Sequence, residues 1–283
     1  MKNQIERSNK FTSLFAVIAI PVIIAACLLL FFFVLGNTSN FEGGDPVQGH
    51  PLNYLGTVYK GGIIVPFLMS CFVMVITFSI ERFLTINKAY GKGGIDKFLR
   101  DIKNILVAND MPAAMERCRK QQGSVGNVVY SVIHKYQEQL KDSNTNKEQK
   151  AAFIQKELEE ATALEMPILE KNLTIIATLA SVATLIGLLG TVIGMIKAFA
   201  ALATAGSPDA VALANGISEA LINTALGIAS SALAIVAYNY FTSKIDTLTY
   251  GIDEMGFSIV SHFNASYQDK SAGRKQMMEF VAN

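Results

Sequence analysis

The chain has 283 residues, 51% of them hydrophobic and 17% charged, with a mean hydropathy of +0.34, whereas an ordinary soluble domain carries about 25% charged residues. A formal net charge of +1 provides no bulk attraction for nucleic acid or acidic substrates, which needs a basic stripe, so nucleic acid is excluded as a partner. Six stretches hold no Asp, Glu, Lys or Arg at all: 11–41, 61–80, 172–196, 198–208, 210–218 and 220–243. Windows of about 20 such residues reach the length at which a helix crosses about 30 Å of hydrocarbon. A single soluble domain is therefore excluded. The composition predicts an all-α integral membrane protein in contact with lipid, with four transmembrane helices and long helices extending into a cytoplasmic helical domain.

In chain order, residues 1–13 carry Lys2, Arg7 and Lys10 and read as a cytoplasmic N-terminus, and residues 14–35 as the first transmembrane helix. A signal peptide has an apolar core of about 7 to 15 residues and a small-residue cleavage site. Here the run continues through Leu28-Leu29-Leu30-Phe31-Phe32-Phe33. Ile24-Ala25-Ala26-Cys27 resembles a lipoprotein cleavage box but is followed by more apolar residues, so the segment reads as a retained span. Residues 36–61, with Asn37, Gly43, Gly44, Pro46, Gly49 and Pro51, have the chemistry of an irregular periplasmic loop. Residues 62–80 form the second span, in which Pro66 is tolerated where a neighbouring helix or water satisfies the freed carbonyl.

Residues 81–171 are the charged block. Phe98, Ile102, Ile105 and Leu106 share a helical face after Asp96, Asp110-Met111-Pro112 supplies a cap and early proline for another helix, and Val128, Val129, Val132, Ile133 and Tyr136 keep helical spacing. From Lys147 to Ala203 the only breaker before Gly187 is Pro167, so the spacing predicts one helix of about 85 Å leaving the membrane. Its apolar part, 172–203, is the third span. A periplasmic turn at 204–214, around Gly206-Ser207-Pro208-Asp209, leads to the fourth span at 215–241. The segment 242–283 is a cytoplasmic helical tail with Ile245, Leu248, Ile252, Met255, Ile259 and Phe263 on one face. Basic residues set the sidedness: three precede the first span, only Lys60 lies in the 36–60 loop, and fifteen lie in the charged block, which places both termini in the cytoplasm.

Cys27, Cys71 and Cys118 have no disulfide or zinc spacing, and His50, His134 and His262 belong to no metal motif, so no metal or other cofactor is expected. The polar content of the spans is more informative. Ala183, Gly187, Gly190, Gly194 and Ala198 line one face of the third span, which allows close backbone approach and, between subunits, a closed ring. A neighbouring face carries Thr174, Thr178, Ser181, Thr184 and Thr191. The fourth span repeats the device with Thr224, Gly227 and Ser231, and places Glu219 and Asn223 one turn apart. Taken singly, the hydroxyls and glycines are packing residues. Glu219 differs, because a carboxylate near hydrocarbon is costly and faces a bundle interior or a water-filled cavity. Counting about 20 residues back from Tyr240 places it near the outer boundary, where solvation is the bland alternative and Lys197 can snorkel or pair with it.

Gly187-Leu188-Leu189-Gly190-Thr191-Val192-Ile193-Gly194 followed by Phe199, then Gly216-Ile217-Ser218-Glu219-Ala220-Leu221, Thr224-Ala225-Leu226-Gly227 and Tyr238-Asn239, resemble the MotA/TolQ/ExbB proton-channel family, closest in pattern to ExbB and then TolQ, over residues of about 150–255. The resemblance implies an inner-membrane homo-oligomer, a pentamer in this family, around a dimer of single-span ExbD/TolR-like partners whose aspartate takes up protons, with a TonB-like protein beyond. It implies pore-facing roles for Thr191 and Thr224 and a matching acid in Glu219. The chain departs from the family in having Leu233 where a proline is common and in having four spans rather than three. The alternatives are a TolQ-like envelope-maintenance or motility stator subunit and, in a different class, a passive membrane scaffold. An enzyme is not expected: GxSxG, HExxH and the P-loop lysine motif do not occur.

Overall fold

The computed structural model describes residues 2–47, 49–142, 145–203 and 209–267, with side chains from residue 15 onward. The expected turn at Gly206-Ser207-Pro208, the side chains of Lys2, Arg7 and Lys10 and the tail beyond Tyr267 lie outside the described residues. Among those described, nine α-helices follow one another without a β-strand: α1 Lys2–Leu29, α2 Tyr54–Tyr59, α3 Val65–Tyr90, α4 Ile95–Val107, α5 Met111–Gln121, α6 Gly123–Lys141, α7 Lys147–Glu170, α8 Leu173–Leu202 and α9 Ala210–Ser266. Four helical runs have the length and composition to cross a membrane: Phe15–Leu35, and apolar windows within Val65–Val107, Lys147–Leu202 and Ala210–Ser266. This is a multi-pass all-α membrane protein. Its chain forms two compact units, Met1–Arg82 with Asn172–Phe241, and Phe83–Lys171 with Thr242–Asn283.

In the first unit α1 passes into a π-helical turn, Leu30–Leu35, closed by Gly36 N donating to Phe31 O at 2.9 Å. Phe31 stacks on Tyr59 at 4.7 Å between ring centroids and joins Leu35 and Val65 in a buried cluster against Ile222 and Leu226. Asn40, itself buried, donates to Val34 O at 2.8 Å and Leu35 O at 3.0 Å, so two terminal carbonyls of the helical run find a donor inside the loop. Asn53 donates to Asn40 Oδ1 and caps α2 by accepting from Gly56 N. The loop expected to be irregular is thus held by two asparagines and carries a short helix. Pro66 needs no external help, since it sits in the first turn of α3, and Gly62 O, the carbonyl it leaves unserved, accepts from Val65 N at 3.1 Å.

The second unit buries Phe98, Ile102 and Leu106 of α4, Val128, Val129, Val132, Ile133 and Tyr136 of α6, and Ile245, Leu248, Ile252, Met255, Ile259 and Phe263 of α9. Ile105 is only half-buried. Asp110 caps α5 by accepting from Ala113 N at 3.0 Å, with Pro112 in the first turn. Burial pushes the Cys118 thiol up to about 12, with Arg117 opposing the shift, so this thiol is a packing group rather than a nucleophile.

One expectation fails. The run from Lys147 to Ala203 is two helices, because Lys171 is extended (ψ 149°) and Asn172 takes the left-handed conformation (φ 57°), which Asn tolerates better than other side-chain-bearing residues. Asn172 Nδ2 donates to Glu81 at 3.0 Å and its carbonyl accepts from Ile175 N and Ile176 N to start α8. The break falls after Pro167 rather than at it. The long continuous helix is α9, 57 residues, which runs through Leu233 without interruption.

Candidate functional site

α8 and α9 pack so closely that glycine is required where they cross. A Cβ at Gly227 would lie 2.8 Å from Ala183 O and 2.9 Å from Gly187 Cα; one at Gly187 would lie 3.0 Å from Asn223 O; one at Gly194 would lie 2.6 Å from Ala220 N; one at Gly190 would enter the Asn223 side chain. Ala183, Gly187, Gly190, Gly194 and Ala198 are all buried on this face. The small-residue face expected to close a ring between subunits is thus occupied within the chain, by its own hairpin.

That close approach brings two hydroxyls together. Thr191 Oγ1 lies 2.8 Å from Thr224 Oγ1, 3.1 Å from Gly187 O, and Thr224 Oγ1 lies 3.0 Å from Ala220 O. Two hydroxyl hydrogens serve three contacts. Either Thr191 donates to Thr224 while Thr224 donates to Ala220 O, or Thr224 donates to Thr191 while Thr191 donates to Gly187 O. These are the two directions of one short hydrogen-bonded chain, and each hydroxyl keeps a lone pair for water or an acid. Thr191 also lines an open groove of about 540 Å³ with Leu188, Val192, Met195, Ile196 and Phe199, and among the described residues supplies its only hydroxyl. The rest of the expected stripe stays apart from this pair: Thr174, Thr178, Ser181 and Thr184 are exposed, and Thr178 and Thr184 donate to their own helix at Thr174 O and Ala180 O.

A second polar level lies five residues earlier on α9 and six residues later on α8, about 7.5 to 9 Å along the helix axes. Glu219 is buried, 5% exposed, and Lys197 Nζ donates to both its carboxylate oxygens at 2.7 Å from a half-exposed position. The carboxylate is packed against Gly62, whose φ of +76° suits glycine and where a Cβ would lie 2.5 Å from Glu219 Oε1. One turn along, fully buried Asn223 donates to Gly61 O at 2.9 Å. Its Oδ1 accepts no hydrogen bond. Of the alternatives for Glu219, the structure has the paired and buried one.

Sequence reasoning missed Gly61 and Gly62. The doublet directly after Lys60, at the start of an apolar window, was the available signal. It also missed Gly216 and Ala220 as the counterparts of Gly194 and Ala198.

Fold and site thus define a multi-pass helical membrane protein with two polar contacts inside one hairpin. Residues 127–254 match the MotA/TolQ/ExbB proton channel family. The matched region begins inside α6, earlier than the expected start near 150, because the apolar face of α6 reads from sequence as generic helix packing. The chain is 28% identical over 206 residues to the biopolymer transport protein ExbB of Pseudomonas putida, covering 70% of this chain and 59% of that one. It is 40% identical over 105 residues to the Tol-Pal system protein TolQ of Haemophilus influenzae, covering 36% and 45%. A putative ExbB homolog of Methanothermobacter thermautotrophicus matches at 28% over 214 residues, 71% of this chain and 67% of that one. The chain spans about half the length of the Pseudomonas putida ExbB and the Haemophilus influenzae TolQ, 59% and 45%.

Proposed function

We propose that this chain is an ExbB-like subunit of a proton channel in the bacterial inner membrane, with both termini in the cytoplasm. It assembles as a homo-oligomeric ring, a pentamer, around a dimer of ExbD/TolR-like single-span partners, and uses the proton motive force to energise TonB-dependent outer-membrane transport. The observation that carries this reading is the Thr191–Thr224 contact. Two hydroxyls that each donate and accept are paired across a hairpin whose surroundings are Gly, Ala and Leu, and one of them, that of Thr191, borders an apolar groove that an incoming helix can fill. Glu219 is a lone acid already neutralised by Lys197, so the group that binds and releases the proton comes from the partner. The chain is a transducer rather than a catalyst. One charge crossing 100 mV releases about 2.3 kcal/mol, so several protons suffice for a mechanical step.

A TolQ-like role in envelope maintenance is the second reading, favoured by the 40% identity to a TolQ protein over 105 residues. A neighbouring reading frame for a TonB-like protein separates the two. The rival from another class is a passive scaffold. Thr191→Val, Thr224→Val and Glu219→Ala decide it: each is expected to leave a complex of parent size with its partner bound and to cut proton flux in liposomes to a small residual level. The scaffold predicts that any loss of function follows loss of assembly. Three variants that conduct as the parent does overturn the site assignment.

A further inference from the structure

We propose that Lys197 occupies, from within the chain, the place a metal cation would take at Glu219, and thereby makes this site pass protons while excluding sodium. Hard oxygen donors line this level. Both carboxylate oxygens of buried Glu219 lie against the Gly62 backbone, and one turn along α9 fully buried Asn223, whose Nδ2 donates to Gly61 O, keeps an unpartnered Oδ1. Carboxylate, amide and carbonyl oxygens are the donors that alkali and alkaline-earth ions take, and unwound backbone beside a membrane carboxylate is a recurring sodium environment. In this chain the charge is already balanced: Lys197 Nζ spans both carboxylate oxygens at 2.7 Å each, and among the described residues it is the only donor to them. An ammonium tethered to α8 cannot be carried through the pore, and it leaves no net charge to draw a sodium ion out of water, the costly step for any ion near hydrocarbon. A proton needs no such site. It moves between hydroxyls, water and carboxyl groups by exchange of hydrogen bonds, and the Thr191–Thr224 pair lies the next level in. Lys197 is therefore a specificity-determining residue, acting on ions it does not itself transfer.

The flux part of this inference rests on the proton-channel reading; the binding part does not. Thermal unfolding of the purified full-length complex is compared in sodium chloride and choline chloride of equal ionic strength, for the parent, Lys197→Met and Lys197→Arg. The parent and Lys197→Arg are expected to unfold at the same temperature in both salts, whereas Lys197→Met gains about 3 °C or more in sodium because a bound ion stabilises the folded state. Folding of Lys197→Met only when sodium is present also supports the proposal. Equal melting of Lys197→Met in the two salts overturns it, as does a failure to fold in both. In liposomes, sodium influx is expected to rise about tenfold in Lys197→Met over the parent, a change of about 1.4 kcal/mol in barrier, and to return to the parent level in Lys197→Arg. A parent that conducts no protons contradicts the proposed function. A parent that conducts protons beside a Lys197→Met variant that stays sodium-tight contradicts only this inference.

Discussion

The α8–α9 hairpin and the unit of α4 to α7 with the end of α9 are both helix-on-helix structures, yet they are filled by opposite kinds of residue. In the second unit the interior is made of large side chains: Phe98, Ile102, Val132, Ile133, Met255, Ile259 and Phe263 are wholly buried. In the hairpin the interior is Ala183, Gly187, Gly190, Gly194 and Ala198 against Gly216, Ala220 and Gly227, while Leu185, Leu188, Leu189, Ile196 and Phe199 point outward. Water drives the first arrangement. Hydrocarbon gives no reward for moving a leucine inward, so the second is decided by how near two backbones can come and by the few polar contacts that closeness permits. A rule that places hydrophobic residues inside locates the core of one region and the surface of the other.

The comparison breaks most visibly at Gly227. Gly227→Leu drives a side chain into Ala183 O and the Gly187 backbone, and is expected to abolish the folded hairpin, leaving no complex of parent size on size-exclusion chromatography. A Gly227→Leu complex of parent size that conducts protons contradicts the packing account. A smaller effect is expected in the other region. Ile252→Ala removes a buried side chain from a core that water built, and should lower stability by about 2–5 kcal/mol in denaturant titration while leaving proton flux per folded complex at the parent level. A loss of flux without a loss of stability shows that this region does more than fold.

Much of the fold is legible in the sequence because the signals are local. The charge-free windows mark the four apolar helical runs, the three-and-four spacing from Ile245 to Phe263 marks the buried face of α9, and Asp110 with Pro112 marks the start of α5. The break at Lys171–Asn172 is not local: Asn172 is held by Glu81, a residue distant in sequence. The same holds at the site. The residues Thr191, Thr224 and Glu219 stand out by residue type and pattern, but their partners come from elsewhere in the chain. The seating of Glu219 on Gly62, and the spending of the small-residue face inside one hairpin rather than between subunits, depend on how α3, α8 and α9 meet. A helical wheel drawn for one span carries no information about that.

The central claim is that Thr191 and Thr224 work as one hydrogen-bonded unit rather than as two polar positions. A double-mutant cycle on proton flux tests it directly, using Thr191→Val, Thr224→Val and the pair together in complexes of equal size. Either single change removes the 2.8 Å hydroxyl contact, so the double variant is expected to retain the same residual flux as each single one, the strong non-additivity of residues that act together. Losses that multiply in the double variant would contradict the account, because they would mean that each hydroxyl contributes alone.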